Sequence, residues 1–157
     1  MIIEGNYMEQ SLVILKPDTL QRGLAGQVLS RFENKGLKIV GMKLTRLTRE
    51  LAEKHYSEHR AKEFFEDVVG YITSGPVILM VLEGPSAITV IRQMLGPTDG
   101  RKAPAGTIRG DFGIATRYNL VHASDSPEAA LREIALFFRA DELLCYDRDV
   151  NKWIWQV

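Results

Sequence analysis

The sequence predicts one domain in which strands alternate with helices. Short runs of branched apolar residues recur along the chain, and the stretches between them carry apolar residues at helical spacing, punctuated by Gly or Pro. At 157 residues the chain has the size of a single domain, and 45% apolar with 25% charged residues is ordinary globular usage. Neither an internal repeat nor a Pro/Ser-rich linker divides it. Alternation alone favours a parallel, doubly wound sheet, although such a pattern leaves the topology open.

Ser11-Leu12-Val13-Ile14-Leu15 reads as a buried strand stopped by Pro17, which sets Lys16 at a strand's end. Leu24, Val28, Leu29 and Phe32 mark an amphipathic helix over 23–35, closed by Gly36 in a left-handed conformation. Leu37 to Leu44 forms the next strand. Charged and aromatic residues from Arg49 to His59, then Phe64, Phe65, Val68, Val69 and Ile72, describe a helical hairpin. The run from Val77 to Leu82 is the most apolar and predicts a central strand. Pro85 then opens a helix with Ile88, Ile91 and Leu95 on its inner face. Gly96 to Gly110 holds four glycines and two prolines, the composition of a long structured loop, and such loops are often functional. Residues 117–122 form a last strand, after which Ser126 caps a helix begun by Pro127, with Leu131, Ile134 and Phe138 as its apolar stripe.

Twenty basic side chains balance twenty acidic ones, so the chain lacks the global positive field that draws proteins to nucleic acid or anionic membranes. Any affinity for phosphate must be local. Cys145 is the single cysteine, unable to form an internal disulfide or a zinc site alone, and reads as a buried apolar thiol compatible with a reducing compartment. No apolar run is long enough for a membrane span, and Met1-Ile2-Ile3-Glu4-Gly5 lacks the pattern of a signal peptide. The expected location is cytoplasmic.

The segment Asn119-Leu120-Val121-His122-Ala123-Ser124-Asp125 gathers polar groups just before a helix cap. Helix entrances favour anions, and an imidazole titrating near neutrality can act as a nucleophile without a separate base. A single histidine is more often a surface or satisfied polar residue. Its neighbours change that balance: with Thr107-Ile108-Arg109-Gly110-Asp111-Phe112, Lys16-Pro17-Asp18 and His55-Tyr56, the segment resembles the nucleoside diphosphate kinase family. The family's Asn-x-x-His-x-Ser-Asp signature is matched at Asn119, His122, Ser124 and Asp125, and the likeness runs from Glu9 to Trp153-Ile154-Trp155. It implies an α+β, ferredoxin-like sandwich whose four-stranded antiparallel sheet is covered by helices, in place of the parallel sheet that alternation favours. Residues 9–157 then form the kinase domain and 1–8 an N-terminal extension, with Met8 as a candidate start.

The resemblance further implies a role for each matching position. His122 is the residue phosphorylated on its δ nitrogen, Glu133 the carboxylate holding the other ring nitrogen, and Ser124 the hydroxyl supporting that pair. From sequence alone Glu133 would read as an exposed helix residue and Ser124 as a turn or cap. Lys16, Arg92 and Arg109 correspond to phosphate-binding cations, Thr98 to a further phosphate contact, and Tyr56 to an aromatic beside the cleft. Asn119 and Lys16 correspond to contacts with the sugar hydroxyls, and Phe64 to the aromatic on which the base stacks. Phe64 and Phe65 are adjacent on a helix, so one faces inward and the other outward. Magnesium (Mg2+) is implied by the substrate and would be held mainly by the nucleotide phosphates, no Asp/Glu cluster offering a cage; the absence of a Gly-x-x-x-x-Gly-Lys-Ser/Thr loop argues separately against a P-loop kinase. The partners implied are nucleoside di- and triphosphates and further copies of the chain, a hexamer being favoured over a tetramer from the Trp-rich end. The loop Asp99 to Gly106 departs from the common family pattern, and the family assigns it to subunit contacts. Two rival readings are a non-catalytic relative, opposed by the intact cluster of matching residues, and a nucleic-acid-binding module, opposed by zero net charge and the absence of an aromatic RNP1 pattern.

Overall fold

Residues 8–155 are described in the computed structural model of the chain. The four strands are β1 (Met8–Leu15), β2 (Lys38–Thr45), β3 (Val77–Pro85) and β4 (Val121–Ala123). They form one sheet in the order β2-β3-β1-β4, and every neighbouring pair is antiparallel. The parallel sheet suggested by alternation is therefore not formed, for a physical reason. The helical connection from β1 to β2 joins strands running the same way, but β3 is inserted between them; β1 is likewise inserted between β3 and β4. Crossover helices thus accompany an antiparallel sheet, and the linear pattern cannot distinguish interleaved partners from adjacent ones. Residues 1–7, most of the expected extension, lie outside the described residues, and Met8 already pairs with Pro85.

Between β1 and β2 lie α1 (Pro17–Gln21), a short helix absent from the sequence reading, and α2 (Ala25–Lys35). Gly36 ends α2 with φ of 100°, a conformation that disfavours a side chain. The expected hairpin is α3 (Arg49–His55) with α4 (Phe65–Thr73). Helix α5 (Ala87–Leu95) starts after Ser86, so Pro85 ends β3 rather than opening the helix. A proline with no amide proton to offer is as well suited to a strand's end as to a helix's first turn. Helix α6 (Ile108–Phe112) rises inside the glycine-rich stretch, α7 (Pro127–Phe137) follows β4, and α8 (Asn151–Ile154) lies near the end.

Alternation along β1 divides the core. Leu12 and Ile14 face α3, α4 and α7 with Leu79 and Val81, while Val13 and Leu15 face α2, α5 and α6 with Met80 and Leu82. Helices therefore cover both faces of the sheet. Two expected details shift. The inner stripe of α7 is Ala130, Ile134 and Phe137, and Leu131 is 74% exposed, because the helix is turned to bury Glu133. Cys145 is exposed on the segment after α7 rather than buried. Trp155 is buried and its indole donates to the Gly36 carbonyl at 3.0 Å, whereas Trp153 stands in solvent.

Candidate active site

Strand register decides where His122 points. It pairs with Ile14, while its neighbours Val121 and Ala123 enter the α2–α5–α6 side of the core, so its ring projects toward α3 and α7. There Nε2 meets Glu133 Oε2 at 3.0 Å. The same oxygen accepts the Ser124 hydroxyl at 2.8 Å, and Ser124 Oγ in turn accepts the Leu12 amide at 3.1 Å. Glu133 and Ser124 are buried, so the carboxylate is fixed by a chain of hydrogen bonds anchored in β1. Holding one imidazole nitrogen in this way sets the tautomer and leaves Nδ1 with a lone pair.

Strand β4 is shorter than the expected 117–122, because the chain kinks just before it. Leu120 has φ of 74°, unusual for a residue with a side chain. Its neighbours over-determine the kink. The Leu120 amide donates to Asp18 Oδ2 at 3.1 Å, and its carbonyl accepts the Lys16 amide at 2.9 Å as well as the Thr19 hydroxyl. The other Asp18 oxygen accepts the Tyr71 hydroxyl. Burial and this carboxylate raise the pKa of Tyr71 and keep it a neutral donor. Asp18 and Tyr71 were not singled out from sequence: Asp18 lay within a matched segment without a role, and no local pattern relates it to Tyr71, 53 positions away.

A cavity of about 540 Å³ opens beside this kink, and Lys16, Tyr56, Phe64, Thr98, Asn119 and His122 all line it. Six of the expected site residues thus converge from five separate stretches of chain, in a space of the size that takes a small organic ligand. Lys16 Nζ donates to Asn119 Oδ1 at 2.7 Å, and Asn119 Nδ2 donates to the Thr98 carbonyl at 3.3 Å. Burial, reinforced by Arg109 and opposed by Asp18, lowers the Lys16 pKa to about 8. Phe65 is buried in the core while Phe64 is 45% exposed at the cavity rim, the division expected for adjacent helix residues. Tyr56 keeps its proton, its pKa raised by burial and then by Glu133.

The remaining two cations sit differently. Arg109 is buried and donates to three backbone carbonyls, Asn119 at 3.1 Å, Gly96 at 3.0 Å and Val121 at 2.6 Å. It therefore ties the glycine-rich stretch to the residues flanking the kink, with two of its five N–H donors left over. Burial, then the charge of Arg92, lowers its pKa to about 10, which leaves it cationic at neutral pH. Arg92 is exposed and lines an adjoining groove with Gly96, Pro97 and Thr107. Behind the His122–Glu133 pair, the His55 ring packs edge-on against His122 with centroids 4.6 Å apart, and burial holds its pKa well below the usual histidine value, helped by His122 and Lys16.

The family model described as nucleoside diphosphate kinase matches residues 9–143. The nucleoside diphosphate kinase of Pelotomaculum thermopropionicum is 54% identical over 149 residues, covering 95% of this chain and 100% of that protein. Among solved structures, the halophilic nucleoside diphosphate kinase of Halobacterium salinarum in complex with CDP superposes with a TM-score of 0.93 at 49% identity, covering 96% of this chain and all of that one. A transition-state mimic of the Borrelia burgdorferi enzyme, with bound vanadate and ADP, gives 0.88 at 36% identity over 92% of this chain and 95% of its own.

Proposed function

The chain belongs to the nucleoside diphosphate kinase family, and we propose that it carries the terminal phosphate of a nucleoside triphosphate to a nucleoside diphosphate on His122 Nδ1. The observation that carries this assignment is His122 in the wall of a cavity sized for a nucleotide, its Nε2 held 3.0 Å from the Glu133 carboxylate behind it. The Nδ1 lone pair attacks the terminal phosphorus while the bond to the bridging oxygen breaks, and the nucleoside diphosphate departs with that oxygen. The imidazolium formed is stabilised by the Glu133 carboxylate. A second diphosphate reverses the step through one of its own terminal oxygens. Such transfers depend on positioned charge rather than on covalent work by the protein. Lys16 and Arg92 supply that charge together with the field of Arg109, Thr98 contacts phosphate, and Asn119 with Lys16 holds the sugar. Phe64 stacks on the base and Tyr56 borders the ring of His122.

Magnesium enters with the nucleotide as part of the substrate. Among the described residues the only carboxylate lining the cavity, Asp67, is already paired with Arg117, which suits an ion held by phosphate oxygens and water. The active form is a homo-oligomer, with a hexamer favoured; β2 is an edge strand with Met42 and Leu44 exposed, which suits a partner on that edge. No helix among the described residues is long and apolar enough to cross a membrane. The compartment we propose is the cytoplasm, whose reducing conditions suit the single cysteine. Initial rates measured over a grid of donor and acceptor concentrations test the covalent route: parallel double-reciprocal lines are expected, and intersecting lines would contradict it.

A further inference from the structure

The three histidines of this chain converge. His55, His59 and His122 line one small cavity of about 100 Å³ together with Glu133, Asp125 and Arg132. Both ring nitrogens of His55 are shut off from solvent without a hydrogen-bond partner, and so is Nδ1 of His59. A buried imidazole with neither nitrogen satisfied is costly and calls for a partner. One nitrogen each of His55 and His122 and a carboxylate oxygen of Glu133 lie within 4.8 Å of one another.

We propose that His55, His122 and Glu133 form a binding site for a zinc-class transition-metal ion, whose occupation takes the His122 ring out of phosphoryl transfer. The donor set decides the class of ion: two imidazoles and one carboxylate suit zinc and its neighbours, whereas magnesium prefers oxygen ligands throughout. The spacing is close to what such an ion needs. Tetrahedral zinc with bonds of about 2.0–2.1 Å sets its ligand atoms roughly 3.4 Å apart. His122 Nε2 and Glu133 Oε2 are already 3.0 Å apart, and His55 must approach by on the order of 1 Å, for which the cavity leaves room. Three protein ligands leave a fourth position for water, so the ion is exchangeable rather than structural. An ion between His122 and Glu133 breaks the hydrogen bond that orients the ring and draws electron density from it, so a weaker nucleophile faces the nucleotide. The inhibition rests on His122 being the phosphate carrier; the binding does not.

The test titrates zinc into nucleotide-free protein carrying Cys145→Ser, which removes the exposed thiol as a competing ligand. One zinc per chain is expected by calorimetry, with affinity reduced at least about tenfold to a hundredfold in His55→Ala, by comparison with the cost of disturbing other metal sites. His55→Cys, which restores a soft ligand, should recover it. Zinc-edge X-ray absorption on the Cys145→Ser protein needs no further variant and should show two imidazoles in the first shell; none, or unchanged affinity in His55→Ala, overturns the site. Zinc-loaded protein should also fail to take up label from ATP labelled on its terminal phosphate until a chelator is added. Labelling at the unloaded rate overturns the inhibition. Absence of labelling in metal-free protein would instead count against His122 as the carrier and leave the binding result standing.

Discussion

The floor and the rim of the nucleotide cavity are built on different principles. The floor is Lys16, Asn119 and His122, at or beside strand ends, backed by Glu133 of α7 and the buried Arg109 of α6 through hydrogen bonds that reach β1. The rim consists of the α3–α4 hairpin, where Phe64 stands exposed and exposed ion pairs such as Arg49–Glu66 and Arg117–Asp67 hold the surface. Exposed pairs contribute little to stability, whereas a buried and fully partnered network is costly to break. Floor substitutions should therefore act on the chemical step or on folding, and rim substitutions on binding.

The largest floor effect belongs to Arg109→Ala. It removes cationic charge and strands three carbonyls, so turnover should fall on the order of a hundredfold and stability by about 3 kcal/mol. Denaturant unfolding alongside steady-state rates checks both, and lost activity at parental stability would confine Arg109 to charge alone. Glu133→Gln should slow phosphorylation by roughly ten- to a hundredfold while nucleotide affinity holds, as measured by rapid mixing and equilibrium binding. An unchanged rate would return Glu133 to a structural role.

Lys16 adds a pH dependence. Its ammonium carries charge below a pKa of about 8 and loses it as pH rises through that value, so kcat/KM should decline above pH 8 by up to about tenfold per unit. Lys16→Arg should lose this alkaline limb even if its rate is lower, because a guanidinium stays protonated. Folding responds the other way: the buried ammonium titrates lower than in the unfolded chain, so its cost to stability shrinks as pH rises from about 8 toward the ordinary lysine value. At the rim, Phe64→Ala should raise KM for every diphosphate by a similar factor, within the roughly 1–3 kcal/mol that base stacking supplies. A comparison of adenosine, guanosine, cytidine, uridine and thymidine diphosphates checks this, and a loss confined to one base would reveal contacts to a base edge.

The same division marks what sequence could reveal. Periodicity located most helices and three of the four strands, β1, β2 and β3, because local burial writes its period into the chain. It missed the antiparallel order, which depends on which strand is interleaved, and it overextended β4, whose end is set by the Leu120 kink. His122 stood out through its signature, whereas Glu133 came only from family resemblance, since a buried Glu and a solvated one look alike in a helical pattern. Asp18 with Tyr71 and the three-carbonyl grip of Arg109 are contacts between distant segments, invisible to any local window. At the rim the pattern required one of two adjacent phenylalanines to face out, and only the family resemblance singled out Phe64.

The central claim is that His122 carries the phosphate. Incubation with ATP labelled on its terminal phosphate, followed by separation from nucleotide and mapping of the labelled peptide at alkaline pH, tests it directly. The expected product is a phosphoenzyme stable to base and labile to acid, with its label on His122 and none in His122→Ala. An unlabelled parent protein, or a His122→Ala variant that labels equally well, would contradict it.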